Sequence, residues 1–149
     1  MKLDDLLKKL GKDMELPDLK LDKNGGCVLV FDGSLRIFVE RAPDLKSFYL
    51  YAVLCQIPSI ESERLALYDV LMEGHLFGIM SGGATFGASP RFGGVVLSRV
   101  FDLDTITYPR FFSALELFVN AYETWVKRLG GGAVPESTEA VNERMKEKE

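Results

Sequence analysis

The sequence predicts an α+β fold in the order α-βββ-α-ββ-α, a twisted antiparallel sheet packed by helices. Three observations predict it. Leucines recur at helical spacing at the start, a hairpin signal separates short apolar runs in the middle, and a long aromatic-rich helical pattern closes the ordered part. The length of 149 residues, 16.6 kDa, fits one domain.

The first element rests on Leu3, Leu6, Leu7, Leu10 and Met14, with Asp4 and Asp5 at its start and Lys8, Lys9 and Lys12 further on. That distribution suits a helix dipole, and Gly11 is expected to stop the helix. A helix of about twelve residues is too short to stand alone, so its apolar face must dock on something. It is expected to bury only part of that face. Pro17, Leu19 and Leu21 then read as an extended connection to a turn at Asn24-Gly25-Gly26.

Strands are expected over 27–31 and 35–40, flanking Asp32-Gly33, a pair suited to a turn that needs positive φ twice. A third runs from Ser47 to Cys55 and is apolar or aromatic on both faces over 48–54, as in a strand covered on each side. Pro58-Ser59 introduces a helix over 60–75 that is apolar nearly all round and so needs partners on more than one side. Runs 84–88 and 94–101 read as a second hairpin. Pro109 opens the longest helix, in which Phe111, Leu115, Phe118, Tyr122, Trp125 and Leu129 form one stripe with Phe112, Val119 and Val126 beside it. Residues 1–129 are read as the domain. Residues 130–149, a glycine break followed by five Glu, Arg144, Lys146 and Lys148, are read as a solvated charged tail.

Composition narrows the function. With 47% hydrophobic and 27% charged residues the chain is not disordered as a whole. No apolar run approaches the roughly 18 residues of a membrane span, so no membrane insertion is expected. Asp4 and Asp5 stand where an export signal carries basic and then apolar residues. A net charge of −4 argues against nucleic acid, which needs a basic face. Cys27 and Cys55 sit in apolar runs without metal-ligand spacing, and His75 is the single histidine. No metal or cofactor is therefore expected, and the thiols suit a reducing cytoplasm as small hydrophobes.

Catalytic signals are weak. His75 ends a helix, and the glycines around Ser81-Gly82-Gly83 match neither GxxxxGK[ST] nor GxGxxG, so they read as a turn. The chain is read as no enzyme. What it has is surplus apolar surface, whose outlets are self-association and the binding of an apolar polypeptide.

The order of elements, together with particular segments, resembles the class I chaperones of bacterial type III secretion, the Tir-chaperone (CesT-like) family. The resemblance spans about residues 3–129. It is carried by Leu3-x-x-Leu6-Leu7-x-x-Leu10, by Leu21-Asp22-x-Asn24-Gly25-x-Cys27-x-Leu29-x-Phe31 and by Leu71-Met72-Glu73-Gly74-His75-Leu76-Phe77-Gly78, where His75 replaces the usual Asn. Gly82-Gly83-Ala84-Thr85-Phe86-Gly87, Gly94-Val95-Val96-Leu97 and Phe118-Val119-x-x-Tyr122-x-x-Trp125-x-x-x-Leu129 complete it. The resemblance implies a small cytoplasmic bacterial homodimer that keeps the N-terminal segment of a secreted effector extended and secretion-competent without ATP. Strand addition and groove burial would supply the affinity.

Candidate effector-binding residues are Leu3, Leu6, Leu7, Leu10, Val28, Val30, Leu35 and Ile37. The implied dimer contact uses the second helix and the strand after it, here Leu65, Tyr68, Met72, Leu76 and Phe86. The implied partners are a second copy, the effector and the secretion ATPase. Two alternatives stand beside this reading. One is a YbjN-like regulatory protein of the same fold; the other is a small α+β ligand-binding domain or hydrolase using His75 and the glycine loop.

Overall fold

Strand-like runs joined by a short turn pair as hairpins, and the third run pairs with the fifth. The computed structural model describes residues 1–130, so the tail expectation falls, Gly130 apart, outside the described residues. The elements are α1 (Leu3–Asp13), β1 (Gly26–Phe31), β2 (Leu35–Arg41), β3 (Ser47–Cys55), α2 (Glu61–His75), β4 (Thr85–Ser89), β5 (Gly94–Asp102) and α3 (Tyr108–Arg128). The strands form one antiparallel sheet in the order β1-β2-β3-β5-β4.

Asp32 (φ 51°) and Gly33 (φ 74°) both take left-handed backbone in the β1–β2 turn, which the Ser34 N–H closes by donating to the Phe31 carbonyl at 3.2 Å. Asp44 orders the β2–β3 turn by accepting from the Lys46 and Ser47 N–H groups at 2.8 and 3.1 Å. Central strand β3 runs beside β5 along its full length, with a register shift between Val53 and Cys55. Gly94 lies against that irregular end. A Cβ there would strike the Cys55 carbonyl, so only glycine fits.

Helices α1 and α3 cover one face of the sheet. Leu3, Leu6, Leu7 and Leu10 from α1 and Phe111, Phe118 and Trp125 from α3 join Leu29, Ile37, Phe48, Leu50 and Leu97 in a single core. Two polar ties hold α1 in place: the Tyr108 hydroxyl donates to Asp13 at 2.6 Å, and Arg41 meets Asp4 at 3.4 Å. On the opposite face Phe38 stacks on Tyr51 at 5.1 Å, with Val28, Tyr49, Phe92 and Val96 packed around them. Strand β3 is thus buried on both sides, but the second cover comes from aromatic and aliphatic neighbours rather than from another helix.

Gly11 does not stop α1, which continues to Asp13. The glycine serves a close approach instead. The Leu16 N–H donates to its carbonyl at 2.7 Å, and a Cβ on Gly11 would stand 2.8 Å from the Leu16 carbonyl oxygen. The 17–21 connection forms no strand; Leu19 and Leu21 lean on the core from a loop.

Candidate functional site

The leucine spacing in α1 carries all four leucines to the same side, and the structure closes them off. Leu3, Leu6, Leu7 and Leu10 are at most 2% exposed. The partial exposure expected of that face is absent, because the sheet and α3 together wrap the whole leucine stripe. The strand candidates divide between the two sheet faces by their alternation. Ile37 is buried and Leu35 half-buried on the helix-covered side; Val28 and Val30 lie on the other, where Val30 is exposed.

Open surface near α1 has a different lining. A groove of about 160 Å³ lies between the end of α1, β1 and α3, lined by Met14, Phe31, Phe112, Leu115, Val119 and the polar pair Glu116 and Asn120. A shallower groove of about 510 Å³ follows α1 on its other flank, from Lys8 and Lys12 to Leu16 and Leu19. The sequence signal for the first groove is the second row of α3, Phe112 and Val119, offset from the main stripe.

Helix α2 is built differently. Leu71 and Gly74 are its buried residues, and Gly74 lies so close to the Trp125 ring that a Cβ would strike it. Leu65 and Met72, seven residues apart, share the opposite side with Asp69 between them, and Leu76 follows at the helix end; the three apolar side chains are 54–72% exposed. Tyr68 is half-buried beside them. Phe86, on edge strand β4, is half-buried and turns inward, in edge-to-face contact with His75 at 5.7 Å and Trp125 at 4.9 Å. The dimer candidates are therefore one exposed stripe plus one inward residue. The run after α2 extends the stripe: Phe77, Ile79 and Met80 are exposed as well.

The glycine loop is a structural turn. The Ser81 side chain is fully buried, with its hydroxyl donating to the Ala84 carbonyl at 2.6 Å. Gly82 and Gly83 both take left-handed backbone, and Arg99 donates to the Gly82 carbonyl at 3.4 Å. Among the described residues no group of three or more His, Cys, Asp or Glu could hold a metal ion. Both cysteines are free and buried; desolvation, then Asp22 and Glu40, pushes the Cys27 thiol up to about 12, and burial raises Cys55. Glu40, buried on β2, is pushed up to about 7 by desolvation first and the Asp22 carboxylate second. No helix among the described residues is long and apolar enough to cross a membrane.

A five-stranded antiparallel sheet backed by two helices, with a third helix beside them, is a fold that this chain shares with a solved type III secretion chaperone. The match of residues 5–126 to the model of the Tir chaperone protein (CesT) family settles the particular group, and the chain belongs to that family. It is 34% identical over 131 residues to the Chlamydia pneumoniae protein CPj0713/CpB0740, covering 87% of this chain and 98% of that one. Its fold is similar to the structure of the HopA1–SchA chaperone–effector complex, with a TM-score of 0.66, 15% identity and coverage of 83% of this chain and 91% of that chain. It is also similar to the ExsC–ExsE complex, with a TM-score of 0.64, 22% identity and coverage of 85% and 96%.

Proposed function

We propose that this chain works as a cytoplasmic homodimer that holds the N-terminal segment of a secreted effector in extended form, without ATP and without catalysis. It would keep that segment soluble until the secretion ATPase receives it. Membership of the chaperone family over residues 5–126 is the observation that carries the reading.

The exposed α2 stripe, Leu65, Met72 and Leu76 with Tyr68 beside it, supports the dimer, since an isologous contact can cover on both copies what each leaves bare. Phe86 then acts from behind, through His75 and Trp125. For the client, the apolar groove along Met14, Phe31, Phe112 and Val119 lies next to β1, an edge strand. An extended segment could pair with that edge and place alternate side chains in the groove. In this arrangement Leu35, Val28 and Val30 supply neighbouring apolar contact. Leu3, Leu6, Leu7, Leu10 and Ile37 act from beneath, by fixing the helix and strand that shape the groove.

The test is capture of the full-length protein from its native bacterium, followed by protease mapping of any bound chain. Protection of an N-terminal stretch of a secreted protein supports the proposal. Capture of a folded, fully protease-resistant partner overturns it.

A further inference from the structure

We infer that Phe77 is the anchor by which two copies of this chain lock together, with the α2 stripe of the second copy as its seat. The inference rests on the homodimer reading above and adds to it a residue outside both α2 and β4.

Phe77 is 86% exposed, the most exposed large apolar side chain among the described residues. Its backbone lies at φ 60°, ψ 8°, a left-handed conformation that is strained for a bulky side chain. A strained residue persists only where its surroundings over-determine it, and here they do. Gly78, next in sequence, is also left-handed, and its carbonyl accepts from the Gly83 N–H at 3.0 Å. The Trp125 indole donates to the Met80 carbonyl at 2.8 Å, and buried Ser81 ties the loop to Ala84. The loop is pinned from behind while its aromatic ring faces outward. Docking then has to order only the ring's own two side-chain torsions and not the loop that carries it.

Position selects the occupant. Among the described residues, eight of the thirteen exposed large apolar side chains lie between Ile60 and Met80. Val70 lies on the side of α2 away from Met72; the other seven, at roughly 100 Å² each, amount to about 700 Å², close to the roughly 800 Å² that one partner supplies to a standard interface. The patch combines a projecting ring with flexible thioethers, Met72 and Met80, and so carries both a knob and an adaptable seat. A surface with both halves is self-complementary, which is what a two-fold contact requires.

Sedimentation equilibrium on the full chain should compare wild type, Phe77→Gly, Phe77→Asn and Leu45→Gly. Leu45 is the matched control: it too has φ 60° and is 66% exposed, but it lies in the β2–β3 turn. Glycine and asparagine both accept left-handed backbone, so neither Phe77 variant should disturb folding. The expected result is a dimer dissociation constant about 30-fold or more higher for both Phe77 variants, and unchanged for Leu45→Gly. A monomeric wild type at tens of micromolar removes the dimer reading itself. A dimeric wild type with Phe77 variants of equal affinity leaves that reading standing and overturns the anchor. Equal weakening by Leu45→Gly also overturns it, since general apolar exposure would then explain the effect.

Discussion

Replacing Met72 with Asp separates the folding of the protomer from its pairing. Met72 is 72% exposed in the single chain, on the side of α2 opposite Leu71 and Gly74. A carboxylate there keeps most of its water, and its cost to the isolated protomer is the few tenths of a kcal/mol that separate Asp from Met in a helix. On pairing through the α2 stripe the same carboxylate would be buried without a partner. That costs about 3–5 kcal/mol, and a two-fold contact incurs it twice. The dissociation constant should therefore rise by at least about 10,000-fold. Light scattering over a concentration series, with circular dichroism on the same samples, reads both quantities. The expected outcome is a folded protein of about half the wild-type mass. A variant that stays dimeric would show that the stripe is not the interface. One that loses its helical signal at every concentration would contradict the exposure of Met72.

Three further outcomes follow from the same geometry. Leu6→Asp buries a charge in the α1 core at a cost of about 4 kcal/mol or more, a large share of a domain's whole stability, so it should lose the cooperative melt, whereas exposed Lys8→Asp should melt like wild type. Gly74→Ala drives a methyl group into the Trp125 ring, which is held by its indole bond to Met80; the melting temperature at fixed concentration should fall by roughly 5–10 °C, for a loss of about 2–3 kcal/mol. Glu40 is raised from 4.5 to about 7, so the folded state holds that proton more tightly than the unfolded chain. Its stabilising contribution is complete below about pH 4.5 and is lost as pH rises through about 7. Denaturant titrations across that window should show wild type losing stability relative to Glu40→Gln as pH rises, and parallel curves would refute the assignment.

Much of this arrangement is legible in the sequence because local chemistry and tertiary structure agree. Asp32-Gly33 is a pair that tolerates positive φ twice and so favours a tight hairpin turn, and Ser47 to Cys55 is apolar on both faces, as a central strand is. Gly11 misled for a reason that is not local: its carbonyl and its missing Cβ serve Leu16, five residues on, and no helix-stop rule contains that contact. The exposure of the α1 leucines was equally out of reach. Spacing shows which residues share a face but not how far α3 wraps over them. The groove lining was half visible, since Phe112 and Val119 stand off the main α3 stripe, while Met14 and Phe31 reach it only through the fold.

The weak amphipathicity of α2 carries the strongest structural argument for pairing. A helix at a domain surface ordinarily places polar residues opposite its buried side. Here Leu71 and Gly74 face inward, and the opposite side carries Leu65 and Met72 with Asp69 between them, followed by Leu76 just past the helix end. None of the three apolar residues is among the side chains packed into the core, so the inner packing does not account for them. Their apolar character has to answer to something outside the single chain. A client in extended form is best served by an open sheet edge with a groove beside it, and β1 offers that on the far side of the sheet from β4. A rigid apolar helix face with a pinned phenylalanine at its end suits another preformed surface, and a second copy carries one of the same shape.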